Sequence, residues 1–191
     1  VLPGLDVTEL SVNEEGIISL EDLKTAIRPD TALVTIMWAN NETGVCQPVR
    51  EASSITKESG TLFHTDAVNA AGKIPIDVSS SDIDFLSISG HKFHAPKGTG
   101  ALYVRNGAPY KPLLIGGGQE DGKRAGTEAV AQIVALGKAS ELAAERLNDQ
   151  GQEKLSGLRD ALEQSLMDNI KGTHRNGSSR FRLPNTSHLS F

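Results

Sequence analysis

The chain has 191 residues, 38% of them hydrophobic and 23% charged, with a formal net charge of −5, which suffices for a sizeable core in one domain or one and a half. Its 19 basic residues are scattered among 24 acidic ones, which argues against a nucleic-acid or anionic-membrane surface, and no apolar run approaches the ~20 residues of a membrane span. A single cysteine, Cys46, rules out an internal disulfide and fits a reducing, cytoplasmic setting, and Val1 to Asp6 lack the basic-then-apolar pattern of a signal peptide.

A turn at Gly16 leads into a helix capped by Ser19, with Leu20, Leu23 and Ile27 along one face and Pro29 beyond its end. Ala32 to Trp38 is nearly continuous in apolar and β-branched residues, which predicts a buried strand. A helix is expected over Val49–Ser59, closed by Gly60, before a second strand, Thr61 to Thr65, that ends on Asp66. That strand–helix–strand unit calls for a parallel pair. Ile83 to Ile88 alternates like a strand, Ser89 and Gly90 break it, and Gly100 to Arg105 makes another. From Val130 helical spacing takes over through Leu147 and resumes after Gly151 to about Ile170. Lys171 to Ser179 reads as a polar loop, and Ser187 to Phe191 alternates once more.

The chemistry concentrates at two strand exits. Lys92 follows the break after Ile88, with Ser89 and His91 beside it, and Asp66 closes the preceding strand. Open α/β sheets place their sites at the carboxyl ends of strands. An acid at one exit and a lysine at another is the pair that pyridoxal 5'-phosphate requires: the lysine bonds the aldehyde, and the acid keeps the ring nitrogen protonated. The ordinary alternatives are a solvated lysine, one of ten in the chain, and a helix-capping aspartate. A metal frame built on His91 and His94, with Cys46 or Asp66 completing the set, does not fit, because the Gly/Lys context and the lack of paired cysteines do not match one.

Asn40-Asn41-Glu42-Thr43-Gly44, His64-Thr65-Asp66-Ala67-Val68, Ser89-Gly90-His91-Lys92 and Gly116-Gly117-Gly118-Gln119-Glu120 through Arg124-Ala125-Gly126-Thr127 occur in that order. Together they resemble the cysteine desulfurase and selenocysteine lyase family, of the class V aminotransferase group of fold-type I pyridoxal-phosphate enzymes. The resemblance implies an α/β fold: a large-domain half with a mostly parallel sheet and flanking helices over residues 1–145, then a connecting helix and the start of an α+β small domain over 146–191.

It also implies roles. Lys92 would bond the cofactor and move the substrate's α-proton, and Asp66 would hold the ring nitrogen. Ser89 and His91 would bind the phosphate. Asn41 would reach the phenolic oxygen and the substrate carboxylate, and Asn69 the phenolic oxygen, although the family usually carries glutamine at the position of Asn69. Thr127 would cross a homodimer interface to the partner's phosphate. His64 is expected to be a packed histidine, and Cys46 no nucleophile, because the family's reactive cysteine follows the lysine on a small-domain loop.

The implied reaction converts L-cysteine to L-alanine and leaves sulfur as a persulfide on an enzyme cysteine beyond this chain. A sulfur-acceptor protein such as an iron–sulfur scaffold would receive it. The 191-residue chain alone is expected to be inactive. Another class V aminotransferase or lyase, selenocysteine lyase included, and a truncated non-catalytic module stay open at this point.

Overall fold

A computed structural model describes residues 4–148 and 151–191. Helix α1, Leu20–Ala26, starts where expected: Ser19 Oγ accepts the Asp22 N–H at 3.1 Å, and Glu21 and Asp22 place negative charge in the first turn. Strand β1, Leu33–Met37, is joined through α2, Val49–Glu58, to β2, Leu62–Asp66. In α2 the buried positions are Val49, Ala52, Ser53 and Thr56, an i, i+3, i+4, i+7 stripe that turns one helix face to the sheet. Strands β3, Phe85–Ser89, and β4, Gly100–Val104, complete a four-stranded sheet of order β1-β2-β3-β4.

β1 and β2 are parallel, as the strand–helix–strand pattern requires, β3 joins β2 in parallel as well, and β4 returns antiparallel to β3. The connection between β3 and β4 is short and carries only a 3-10 turn, Gly90–Phe93, which is compact enough for an antiparallel return but not for a parallel crossover. Phe63 and Thr65 of β2 are fully buried, whereas Leu62, His64 and Asp66 on the opposite face are half-buried. The core therefore gathers on one face: Leu23, Ile36, Trp38, Val49, Phe63, Ile83 and Leu86 cluster there. Each side chain of this size contributes roughly 1.5–3 kcal/mol when fully buried.

One expectation needs correction. β1 is not a buried strand, because only Ile36 is buried in it and Leu33 is 48% exposed. It forms an edge of the described sheet, so its continuous apolar content reflects sequence and not enclosure.

Beyond the sheet, β5, Gly118–Gln119, and β6, Arg124–Ala125, form a small antiparallel hairpin around a 3-10 turn. The stretch that carries the Gly116–Thr127 motif thus contains a structured hairpin. Two long helices follow, α3, Val130–Asn148, and α4, Gly151–Asn169. Ala139 and Ala143 of α3 seat small side chains against Phe93 and Ala95, making a second, smaller core directly beneath the Lys92 turn. The polar loop expected over Lys171 to Ser179 contains a short strand, β7, His174–Arg175, which pairs antiparallel with β8, Leu189–Ser190. Among the described residues no helix is long and apolar enough to cross a membrane.

Candidate active site

β2 and β3 run in parallel with Asp66 opposite Ser87, so their carboxyl ends lie side by side. The chain leaves β2 through Ala67, whose N–H donates to the Ser87 carbonyl at 2.9 Å. Asp66 Oδ1 accepts the Val68 N–H at 2.8 Å, an Asx turn that holds the carboxylate at the strand exit. Among the described residues, Oδ2 has no partner. Asn69 is buried in the turn that follows.

His64 sits two residues before Asp66 on the same strand face. Its Nδ1 lies 2.7 Å from Thr35 Oγ1 and its Nε2 2.9 Å from Ser87 Oγ. Burial lowers its pKa from the ordinary 6.5, against the opposing charge of Asp66. At neutral pH the ring is therefore an uncharged bridge across the three parallel strands.

At the β3 exit, Ser89 Oγ lies 2.8 Å from His91 Nδ1. Gly90 N–H donates to the Thr99 carbonyl at 2.9 Å, and the Gly90 carbonyl accepts the Ala95 N–H at 3.0 Å. A side chain at Gly90 would stand 2.8 Å from Ala95 Cβ and 2.9 Å from Leu136 Cδ1. Glycine is therefore what lets the Lys92 turn lie flat on α3.

Lys92 is exposed, and its side chain borders a cavity of about 690 Å³ that also touches Lys73, His94, Lys138 and Arg146. Lys73 was not singled out in the sequence, yet burial and the neighbouring Lys92 charge both lower its pKa. The only local signal for it is the glycine before it. Asp66, Asn69, Ser89 and His91 lie outside the walls of this cavity.

Asn41 is exposed in the turn after β1, and Thr127 is exposed between β6 and α3. No hydrogen bond among the described residues joins either to Lys92. The structure thus brings Asp66, His64 and Ser87 together and pairs Ser89 with His91 on the turn that carries Lys92, while among the described residues no hydrogen bond ties Asn41 or Thr127 to any of them. Cys46 is half-buried, and its thiol is pushed up to about 11 by burial. Such a thiol carries little thiolate at neutral pH.

The arrangement offers a carboxylate with a free oxygen, a hydroxyl–imidazole pair and an amine, all at the carboxyl ends of two adjacent parallel strands. That is the layout of an α/β protein that holds a small molecule across its strand ends.

The chain belongs to the aminotransferase class-V family, whose model matches residues 2–191. It is 52% identical over 188 residues to cysteine desulfurase 2 of Trichormus variabilis, a match covering 98% of this chain and 47% of the relative. Its fold superposes on a solved NifS-like protein with a TM-score of 0.93 at 42% identity, covering 98% of this chain and 51% of that one. A solved structure described as SspA in complex with cysteine matches with a TM-score of 0.83 at 38% identity, covering 98% and 52%. The chain spans about half the length of the curated relatives it matches. The α/β, mostly parallel fold expected from the sequence is the fold these proteins share.

Proposed function

We propose that this chain is the cofactor-binding part of a pyridoxal-phosphate-dependent cysteine desulfurase, which converts L-cysteine to L-alanine and passes the sulfur to an enzyme cysteine as a persulfide. The observation that carries this reading is the placement of Asp66 and the Ser89–Lys92 turn at neighbouring ends of parallel strands. Membership of the class V family and identity to named cysteine desulfurases support it.

The residues present fit the cofactor by the chemistry of the donor set. Asp66 Oδ2, without a partner among the described residues, can hold a proton on the ring nitrogen. The Ser89–His91 pair can donate to the phosphate from the Ser89 hydroxyl when the ring gives its Nδ1–H to Ser89, or from the His91 Nε2–H when Nδ1 accepts from Ser89, and the Lys92 amine can bond the aldehyde. Asn41 and Asn69 are assigned to the phenolic oxygen. When bound, the cofactor supplies the electron sink for the substrate's α-carbon. Lys92 Nζ removes the proton at that carbon and later returns one. Neutral His64 braces Ser87 and, through β2, the Asp66 exit.

The active protein is proposed to be a cytoplasmic homodimer in which Thr127 serves the partner's site. Leu113 and Ile115, 92% and 86% exposed beside the hairpin, and Val130 and Val134 on α3, 65% and 67% exposed, offer the apolar surface such a dimer needs. An acceptor protein such as an iron–sulfur scaffold would take the sulfur. The division into a cofactor domain, residues 1–145, and a following unit, 146–191, is proposed on the same footing.

The test is made on the complete protein. Borohydride reduction of the cofactor-loaded form followed by peptide mapping should place the pyridoxyl group on Lys92, and Lys92→Ala should lose both label and turnover. A label on another lysine overturns the assignment. Asp66→Ala should keep cofactor bound through its phosphate while losing several orders of magnitude in rate, whereas an unchanged rate would reduce Asp66 to its turn.

A further inference from the structure

α4 carries a glutamate, Glu163, that is 1% exposed. Arg182, 4% exposed at its side chain, grips it with both terminal nitrogens: Nη1 donates to Oε1 at 2.6 Å and Nη2 to Oε2 at 2.7 Å. Arg175 Nη1 adds a third bond to Oε2 at 3.3 Å, and Arg182 Nη2 also reaches Asp160 Oδ1 at 2.8 Å. A bidentate pair of this kind holds geometry as well as charge.

The backbone around Arg182 is paired with the loop that leaves β1. Val45 and Arg182 form an antiparallel bridge. The Cys46 N–H donates to the Phe181 carbonyl at 2.8 Å, and the Leu183 N–H donates to the Gly44 carbonyl at 2.8 Å. The approach is close, since a Cβ at Gly44, where φ is +75°, would stand 2.6 Å from Thr186 Cβ. Within the loop, Asn40 Oδ1 accepts the N–H groups of Glu42 and Thr43, both at 2.9 Å, and the Gly44 N–H donates to the Asn40 carbonyl at 3.0 Å. Asn41 lies inside that closed turn. Among the described residues the loop makes no hydrogen bond to α4 itself: it closes on the β1 exit through the Ala39–Cys46 bridge and the Asn40 N–H to the Val45 carbonyl. It reaches α4 only through the 181–183 segment, which α4 holds at Arg182 and, from Arg159, at the Leu183 carbonyl.

We propose that Glu163 and Arg182 are positioning residues for the Asn40–Cys46 loop: the buried ion pair on α4 fixes the 181–183 segment, and that segment fixes the turn that presents Asn41. The consequence for the cofactor rests on the reading of Asn41 given under Proposed function. The loop coupling itself does not.

The experiment compares the complete protein with its Glu163→Gln, Asn41→Ala and doubly substituted variants. In the cofactor-free state, hydrogen exchange at the Gly44 and Cys46 amides of Glu163→Gln should accelerate about ten-fold relative to the β2 amides, the signature of local opening. Equal acceleration in β2, or none at the loop, overturns the proposal. If Glu163→Gln fails to fold, Arg182→Lys keeps the charge, loses the fork and is read the same way, with a smaller selective effect. In the loaded protein, Glu163→Gln should move the bound cofactor's absorption maximum in the direction that Asn41→Ala moves it, and the double variant should move it no further than Asn41→Ala. Additive shifts overturn the coupling. Selective exchange at the loop with no spectral change in Asn41→Ala supports the clamp and removes Asn41 from the cofactor.

Discussion

His64 Nε2 lies 2.9 Å from Ser87 Oγ, while Nδ1 of the same ring lies 2.7 Å from Thr35 Oγ1. One imidazole thus spans β1, β2 and β3 just below the exit that holds Asp66. Burial lowers its pKa from 6.5, so the unfolded chain binds this proton more readily than the folded one. The stability His64 contributes is therefore complete above the unfolded value and is lost as pH falls below it. Thermal unfolding followed from pH 8 to pH 5 should show a falling midpoint below pH 6.5, and His64→Gln should flatten that part of the curve. An identical slope in the variant would count against the bridge.

Glu163 titrates in a different window. Burial acts to raise its pKa, but hydrogen bonds from Arg182, Ser187 and Arg175, with the charge of Arg182, outweigh burial and hold it at about 2 against an ordinary 4.5. Its stabilisation is present above the unfolded value and is lost as pH falls from there through the folded one. Glu163→Ala leaves the buried Arg182 guanidinium with only the half-exposed Asp160 carboxylate beside it and should destabilise by about 3–5 kcal/mol, the usual range for a broken buried pair. Urea unfolding at pH 7 measures that loss, and the gap between wild type and variant should narrow toward pH 2.

Cys46 is predicted to be a bystander. With its thiol pushed up to about 11, alkylation should be slow at pH 7 and should accelerate as pH rises toward that value. In the complete protein Cys46→Ala should keep near-normal sulfur release. Mass spectrometry that finds persulfide on Cys46 after incubation with L-cysteine and cofactor would overturn this.

Thr127 tests the proposed sharing of sites in a homodimer. Thr127→Ala should weaken cofactor binding by roughly 1.5–3 kcal/mol, the scale of a charge-assisted hydrogen bond, without unfolding the subunit. A mixed dimer of Thr127→Ala and Lys92→Ala subunits would assemble one complete site if Thr127 crosses the interface. About half of wild-type activity per dimer is then expected. Near-complete loss would place Thr127 in its own subunit's site.

Much of this protein is written in local patterns. Ser19 followed by acids caps α1, the buried stripe of α2 follows the helical period, and alternation around Phe63 and Thr65 sets β2. The break at Ser89-Gly90 locates the Lys92 turn, and the ordered motifs mark the class V family. These signals lie within a few residues of one another, so the chain alone determines them. Tertiary structure decided what depends on distant segments meeting. Nothing near β1 announces that Leu33 would be half exposed, because burial depends on which strands lie alongside. Nor does the local sequence pair His64 with Thr35 and Ser87, set Lys73 beside Lys92, or seat Arg182 on Glu163. Each of those contacts joins residues far apart in the chain, and register and helix docking, not composition, bring their polar atoms within bonding distance.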